Sequence, residues 1–252
     1  MGNMQTGIVT AMDPIPDFQP LYKQVYEVLV RRIAKGTWLP AEALPSEQAL
    51  AAELNVSQGT VRKALNALVA ENLVYRRQGK GTYVAEHTQE HALFRFFRLA
   101  RPGTDGDRVT PEAGRTRCKR RAATAGEVEK LHLAKAAQVV EIKRVRLIDG
   151  TPAVSEKIVV PLSLFPELDH QTALPNTLYS LYQSVYGVNI TEAKEELSAI
   201  QSNKTDEREL SIKVGSPILR IERLALGIGG QRAEWRVSRC DTKNIVYAVD
   251  LN

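Results

Sequence analysis

The chain has 252 residues, of which 43% are apolar and 25% charged. This is ordinary globular usage, which excludes a disordered or fibrous chain, and at roughly 150 residues per domain it predicts about two domains or one large one. Its 34 basic and 29 acidic residues leave a net charge of +5, a weak pointer to an anionic partner until the position of the charge is known. No run approaches the roughly 18 consecutive apolar residues of a membrane span. The first twenty residues lack a cationic start followed by an apolar block, so they read as a tail and not as a secretion signal. Cys118 and Cys240 are too few to staple the fold, and no C-x-x-C pair suggests zinc or redox work. A soluble, cytoplasmic protein without cofactor or metal is expected.

Residues 1–17 show no helical or strand period. From Leu21, the positions Leu21, Val25, Val28, Leu29 and Ile33 follow the spacing of an amphipathic helix, which Gly36 is placed to end. After a loop from Pro40 to Pro45, Ser46 offers an N-cap and Glu47 sits near the positive helix end, predicting a helix through Leu54. Asn55 suits a tight turn, and Ser57 caps a third helix with Val61, Leu65, Leu68 and Val69 inward. The period then changes to strand-like Leu73–Tyr75 and Thr82–Val84 around a Gln78-Gly79-Lys80-Gly81 turn. Helix, helix, turn, helix and a short basic hairpin give a winged helix-turn-helix. Glu86 to His91 reads as a polar linker. His87 and His91 stand four apart, but no third ligand is evident, so no metal site is expected.

The second half is strand-rich. Val139–Ile148 alternates, Asp149-Gly150 signals a hairpin, and Ala153–Val160 returns until Pro161. Leu178, Leu181, Tyr182 and Val185 predict a short helix stopped by Gly187. Ile190–Ile200, Ile218–Leu226 and Glu234–Cys240 read as strands, with Ile245–Leu251 closing a meander. Short helices are expected at 125–132 and 205–210. The fold class is α+β: the winged module, then an α+β domain with a mostly antiparallel sheet.

Charge is concentrated in two places. Between Ser57 and Tyr83, Arg62, Lys63, Arg76, Arg77 and Lys80 face a single acid, Glu71, and a second basic stretch runs from Arg95 to Arg121. With its apolar stripe turned inward, the third helix presents Gln58, Gly59, Arg62, Lys63 and Asn66 with no acid among them. In a helix-turn-helix this face meets base edges in the major groove of double-stranded DNA. Gln58 can pair with adenine and Arg62 with guanine or phosphate. Ser57, Thr60 and the first amides of the helix are phosphate donors. Gly59 allows close approach, and Lys80 sits at the tip of the wing. The dull alternative is a helix buried in a helical core.

Pro20-Leu21-Tyr22, Leu44-Pro45-Ser46-Glu47, Val56–Leu65 and Gly79–Val84 resemble the N-terminal module of GntR-family bacterial transcriptional regulators over residues 20–85. That family usually has arginine after Pro-Ser-Glu and after Val-Ser; here those positions are Gln48 and Gln58, so the resemblance implies a shifted operator. Leu93–Phe96, Arg144-Val145-Arg146, Pro152–Glu156, Val160-Pro161, Leu164–Pro166, Ser180–Gly187 and Glu234–Ser238 resemble the HutC-type (UTRA) effector domain, similar in fold to chorismate lyase, over about residues 92–251. The usual Arg-Gly-Asp-Arg-Tyr-like ending is replaced by Cys240–Asn244. The implied organisation is a tail at 1–17, a DNA-binding domain at 18–85, a linker at 86–92 and an effector domain at 93–252.

The resemblance implies a ligand-responsive regulator, most simply a homodimeric repressor on a palindromic operator, with no catalytic residues. DNA contacts are expected from Gln48, Ser57, Gln58, Gly59, Thr60, Arg62, Lys63, Gln78, Gly79 and Lys80. A small anionic effector is expected on Arg144, Arg146, Glu156, Ser180, Glu234 and Arg236. Arg144 and Arg146 are two apart on one strand face, and their forks suit carboxylate or phosphate; a cross-strand ion pair with a glutamate is the competing reading. A lyase-like enzyme and a DNA-binding protein without effector remain as other classes.

Overall fold

A computed structural model describes residues 19–34, 36–71, 73–85, 97–103, 109–171 and 173–249. Helices α1 (Leu21–Ala34), α2 (Glu47–Glu53) and α3 (Gln58–Ala70) come first. They close over a core of Val25, Leu29, Ile33, Leu50, Val61, Leu65 and Leu68. α1 stops where Gly36 takes φ 71 and the Thr37 amide bonds the Arg32 carbonyl at 2.9 Å, a left-handed ending that costs glycine nothing. Ser46 Oγ accepts the Ala49 amide at 3.1 Å and Ser57 Oγ the Thr60 amide at 3.2 Å. Both capping serines act as the sequence implies. Asn55, at φ 51, makes the turn between α2 and α3.

Strands β1 (Val74–Arg77) and β2 (Gly81–Val84) pair antiparallel from Val74↔Val84 to Arg77↔Gly81. The wing tip is therefore Gln78-Gly79-Lys80. Tyr75 stacks on Tyr83 across the pair, a cross-strand contact that holds the register.

In the second half β3 (Leu99–Ala100) precedes a six-stranded antiparallel sheet. Its strands are β4 (Glu112–Ala122), β5 (Gln138–Ile148), β6 (Thr151–Pro161), β7 (Ile190–Gln201), β8 (Pro217–Gly227) and β9 (Arg232–Cys240), in the order β4-β5-β6-β9-β8-β7. Asp149 and Gly150, both at positive φ, form the two-residue turn that matches strand twist. Helix α4 (Ala125–Leu131) packs Leu131 with Val139 and Val159 on one face, and α6 (Lys204–Leu210) also contacts β6. Helix α5 (Leu178–Tyr186) covers the other face with Leu178, Tyr179 and Tyr182.

Three details differ from the sequence reading. β4 was not expected there; its residues are charged on both faces because it is an edge strand that buries little. Val185 is exposed, because the inward stripe of α5 runs through Tyr179, Tyr182 and Tyr186 instead. The last segment does not extend the meander: β10 (Val246–Tyr247) pairs with β3, since β9 already has β6 and β8 on its two sides. The expected linker, His87 and His91, the Leu93–Phe96 stretch and the N-terminal tail lie outside the described residues.

Candidate functional site

The face that α3 turns away from its core is open. Gln58, Gly59, Arg62, Lys63 and Asn66 are exposed, as are Ser57, Gln48 on α2, and Gln78, Gly79 and Lys80 on the wing tip; Thr60 is half-buried. A Cβ placed on Gly59 would meet nothing nearer than Ser57 Oγ at 3.8 Å, so a partner can approach the backbone closely. Lys63 Nζ lies 4.2 Å from the centre of the Tyr22 ring, a cation–π contact that keeps the ammonium over the first turn of α1. The expectation of a face without acid needs correction. Glu47 reaches across from α2: its Oε2 accepts from Arg62 Nε at 2.9 Å and from Gln58 Nε2 at 3.4 Å, and its Oε1 accepts from Arg76 Nη2 at 3.3 Å. Inspection of α3 alone could not find this, because the carboxylate comes from the preceding helix.

The effector candidates share one side of the sheet, under α5. Cross-strand register sets Arg144 opposite Glu156, Glu156 opposite Ser238, and Arg223 opposite both Glu195 and Arg236. Glu156 accepts from Arg144 Nε at 2.5 Å, Arg236 Nη1 at 3.2 Å and Ser238 Oγ at 3.4 Å, while Arg146 stands 3.8 Å away. Glu234 accepts from the hydroxyls of Tyr179 (3.1 Å) and Tyr182 (2.8 Å), and from Arg236 Nε and Nη2, both at 2.9 Å. Ser180, on the first turn of α5, is half-buried.

Burial tends to raise the Glu156 carboxyl, but the charges of Arg144, Arg236 and Arg146 overcome it and hold the group far below the usual carboxylate range. Burial pulls Arg146 down to about 10 despite Glu156, so it still carries its charge at neutral pH. Tyr179 is pushed up to about 12 by burial and then by the Glu234 charge.

Sequence reasoning missed several members of this layer. Arg223 donates to Glu195 Oε1 at 2.6 Å and to the Tyr179 hydroxyl at 3.5 Å. Asn176 accepts from Arg146 Nη2 at 2.6 Å, and Tyr247 bonds Glu195. Register between β7, β8 and β9 was the signal that would have found Arg223 and Glu195; single-strand patterns do not carry it. A cleft of about 410 Å³ opens beside Arg223, Glu195, Tyr247 and Arg98. Four arginines (144, 146, 223, 236) meet three glutamates (156, 195, 234) here. Arg146 is left with a buried Nε that has no acceptor.

A family model for "Bacterial regulatory proteins, gntR family" matches residues 21–84, and one for the UTRA domain matches residues 108–245. The second spans more than half of the chain. The chain belongs to the GntR family. Among relatives of this GntR protein, the transcriptional repressor NagR of Bacillus subtilis is 31% identical over 92% of this chain and 95% of its own length. The histidine utilization repressor of Pseudomonas aeruginosa is 32% identical over 81% and 80%. A GntR-family ligand-binding domain from Bordetella bronchiseptica superposes with a TM-score of 0.55 at 27% identity, covering 63% of this chain and 98% of that one. PhnF of Mycobacterium smegmatis shares the fold over 90% of the chain and 99% of its own, with a TM-score of 0.53 at 20% identity. The GntR protein is thus a DNA-binding transcription regulator with an effector-binding UTRA half. Among the described residues no helix is long and apolar enough to cross a membrane, and no group of three His, Cys, Asp or Glu is placed to hold a metal.

Proposed function

We propose that this protein is a cytoplasmic homodimeric repressor that binds a palindromic operator and is controlled by a small anionic metabolite held in the UTRA half. It is not proposed as an enzyme. Residues 18–85 form the DNA-binding unit, 86–92 the linker and 93–252 the effector unit. One winged module offers few base contacts; two related by a two-fold axis double them and call for an inverted repeat. Gln58 and Arg62 read bases. Gln48, Ser57, Thr60, Lys63 and the Gln78-Gly79-Lys80 tip hold phosphates, with Gly59 permitting the approach.

The observation that carries the effector reading is Arg146. It is a buried guanidinium with an unmet Nε, in a layer with one more arginine than glutamate, and an entering carboxylate or phosphate would supply both the acceptor and the missing charge. Arg144, Glu156, Ser180, Glu234 and Arg236 complete the proposed contacts. Effector control requires different affinities for the two arrangements of the DNA modules, typically about 1–3 kcal/mol of coupling.

Selection of binding sites from a random duplex pool by the full-length protein tests the first half: an inverted repeat is expected, and enrichment of no sequence would reject it. A thermal-shift screen of anionic metabolites tests the second. Saturation near 100 times the dissociation constant adds about 2.7 kcal/mol, and an anion that stabilises the wild type but not Arg146→Met is the expected hit.

A further inference from the structure

Glu47 is the one acid that touches the DNA-facing surface, and it touches three members of it at once: Gln58 and Arg62 on α3 and Arg76 on β1. Its value to the fold is small. The Arg62 side chain is 56% exposed, and an exposed ion pair contributes little to stability. A carboxylate beside the path of a polyanion also repels phosphate. Its arrangement makes sense through the arginine it holds. Glu47 takes the Nε edge of Arg62 and leaves the two Nη groups, the fork that pairs end-on with guanine. Fixing a long side chain in the unbound protein reduces the entropy lost on binding.

We propose that Glu47 is a positioning residue for sequence readout: its carboxylate aims Arg62 and Gln58 at base edges and ties recognition helix to wing strand through Arg76. The inference rests on the reading that α3 meets base pairs. Against phosphates, a free and flexible arginine does as well as a held one. Glu47 therefore contributes to the preference for the operator over other DNA and not to general affinity.

The test uses full-length protein, the operator selected by the wild type, and a scrambled duplex at fixed salt. Glu47→Gln should weaken operator binding about tenfold, the order of one bidentate base contact, and leave scrambled-duplex binding equal or tighter. In an Arg62→Ala background the same substitution should cause little further loss, because Glu47 acts through Arg62. Glu47→Asp, which keeps the charge but shortens the reach, should fall between and serves if the glutamine variant folds poorly. Losses that multiply in the double variant, or an unchanged operator-to-scrambled ratio in Glu47→Gln, would overturn the proposal. A wild-type ratio in Arg62→Ala alone would instead remove the base-reading role of α3, and the inference with it.

Discussion

Substituting Glu156 by glutamine tests the electrostatic account of the UTRA half most directly. The carboxylate stands 2.5 Å from Arg144, 3.2 Å from Arg236 and 3.8 Å from Arg146, in a site where all four side chains are at least nine-tenths buried. Glutamine preserves the shape but removes the charge, leaving four arginines against two glutamates. Removing one partner of a buried pair costs about 3–5 kcal/mol, because the uncompensated charge stays in the interior. For a unit of 150 residues or more, each kcal/mol shifts the melting temperature by roughly 2–4 °C. The expected fall is therefore about 6–20 °C, followed by near-ultraviolet circular dichroism or calorimetry. Adding Arg144→Met should recover much of that loss, since replacing a whole buried pair by apolar atoms is often close to neutral. A Glu156→Gln protein that melts within about 2 °C of the wild type would show that the arginines do not depend on this carboxylate, and the account of a closed ionic layer would fail.

Lys63→Ala and Lys80→Ala should each lower the slope of log affinity against log salt by about 0.9, the signature of one lost phosphate contact; an unchanged slope would remove that residue from the backbone-binding set. Gln58→Arg should shift the selected base at its contacted position from adenine toward guanine, and a repeated selection with an identical consensus would reject the assignment. Gly114→Ala places a Cβ 2.6 Å from the Val145 carbonyl oxygen at the bulge of β4, so a destabilisation of about 1–3 kcal/mol is expected. Gly126→Ala, in α4 with nothing within 4 Å, should be neutral or stabilising, and equal effects in the two would refute the steric argument. Glu127 is pulled down to about 2: burial raises it, but bonds from Arg121, Thr124 and Lys157 prevail. A depressed carboxylate means that the unfolded chain protonates first. Stability should therefore hold above about pH 4.5, be lost as the pH falls toward 2, and fall less steeply in Glu127→Gln when followed by urea unfolding.

The winged module was legible because everything that defines it is local: a 3.6-residue period, Ser46 and Ser57 as caps, Asn55 and Gly36 at positive φ, and glycines at the wing tip. The alternating strands of the second half were equally plain where one face is buried. β4 was not, since an edge strand with charge on both sides carries no apolar period. Contacts made between elements were hidden for a different reason. The Glu47–Arg62 pair joins two helices, and Arg223 and Glu195 enter the ionic layer only through the pairing of β7, β8 and β9. Arg144 and Glu156 illustrate the boundary: both the anion site and the cross-strand pair were readable, and the structure brings the two side chains together without a ligand.

Helix α5 links the two halves of the molecule physically. Tyr179 and Tyr182 reach Glu234 from one flank, and one residue beyond Tyr182 the amide of Gln183 donates to the carbonyl of Ala85, immediately after the wing, at 2.9 Å. Ile228, in the turn after β8, adds a second touch against the helical core. A roll of α5 about its own axis that frees the tyrosines also displaces the group gripping the base of the wing. Such a part transmits rotation the way a shared axle does, with no need for the connecting chain between the halves to carry the signal.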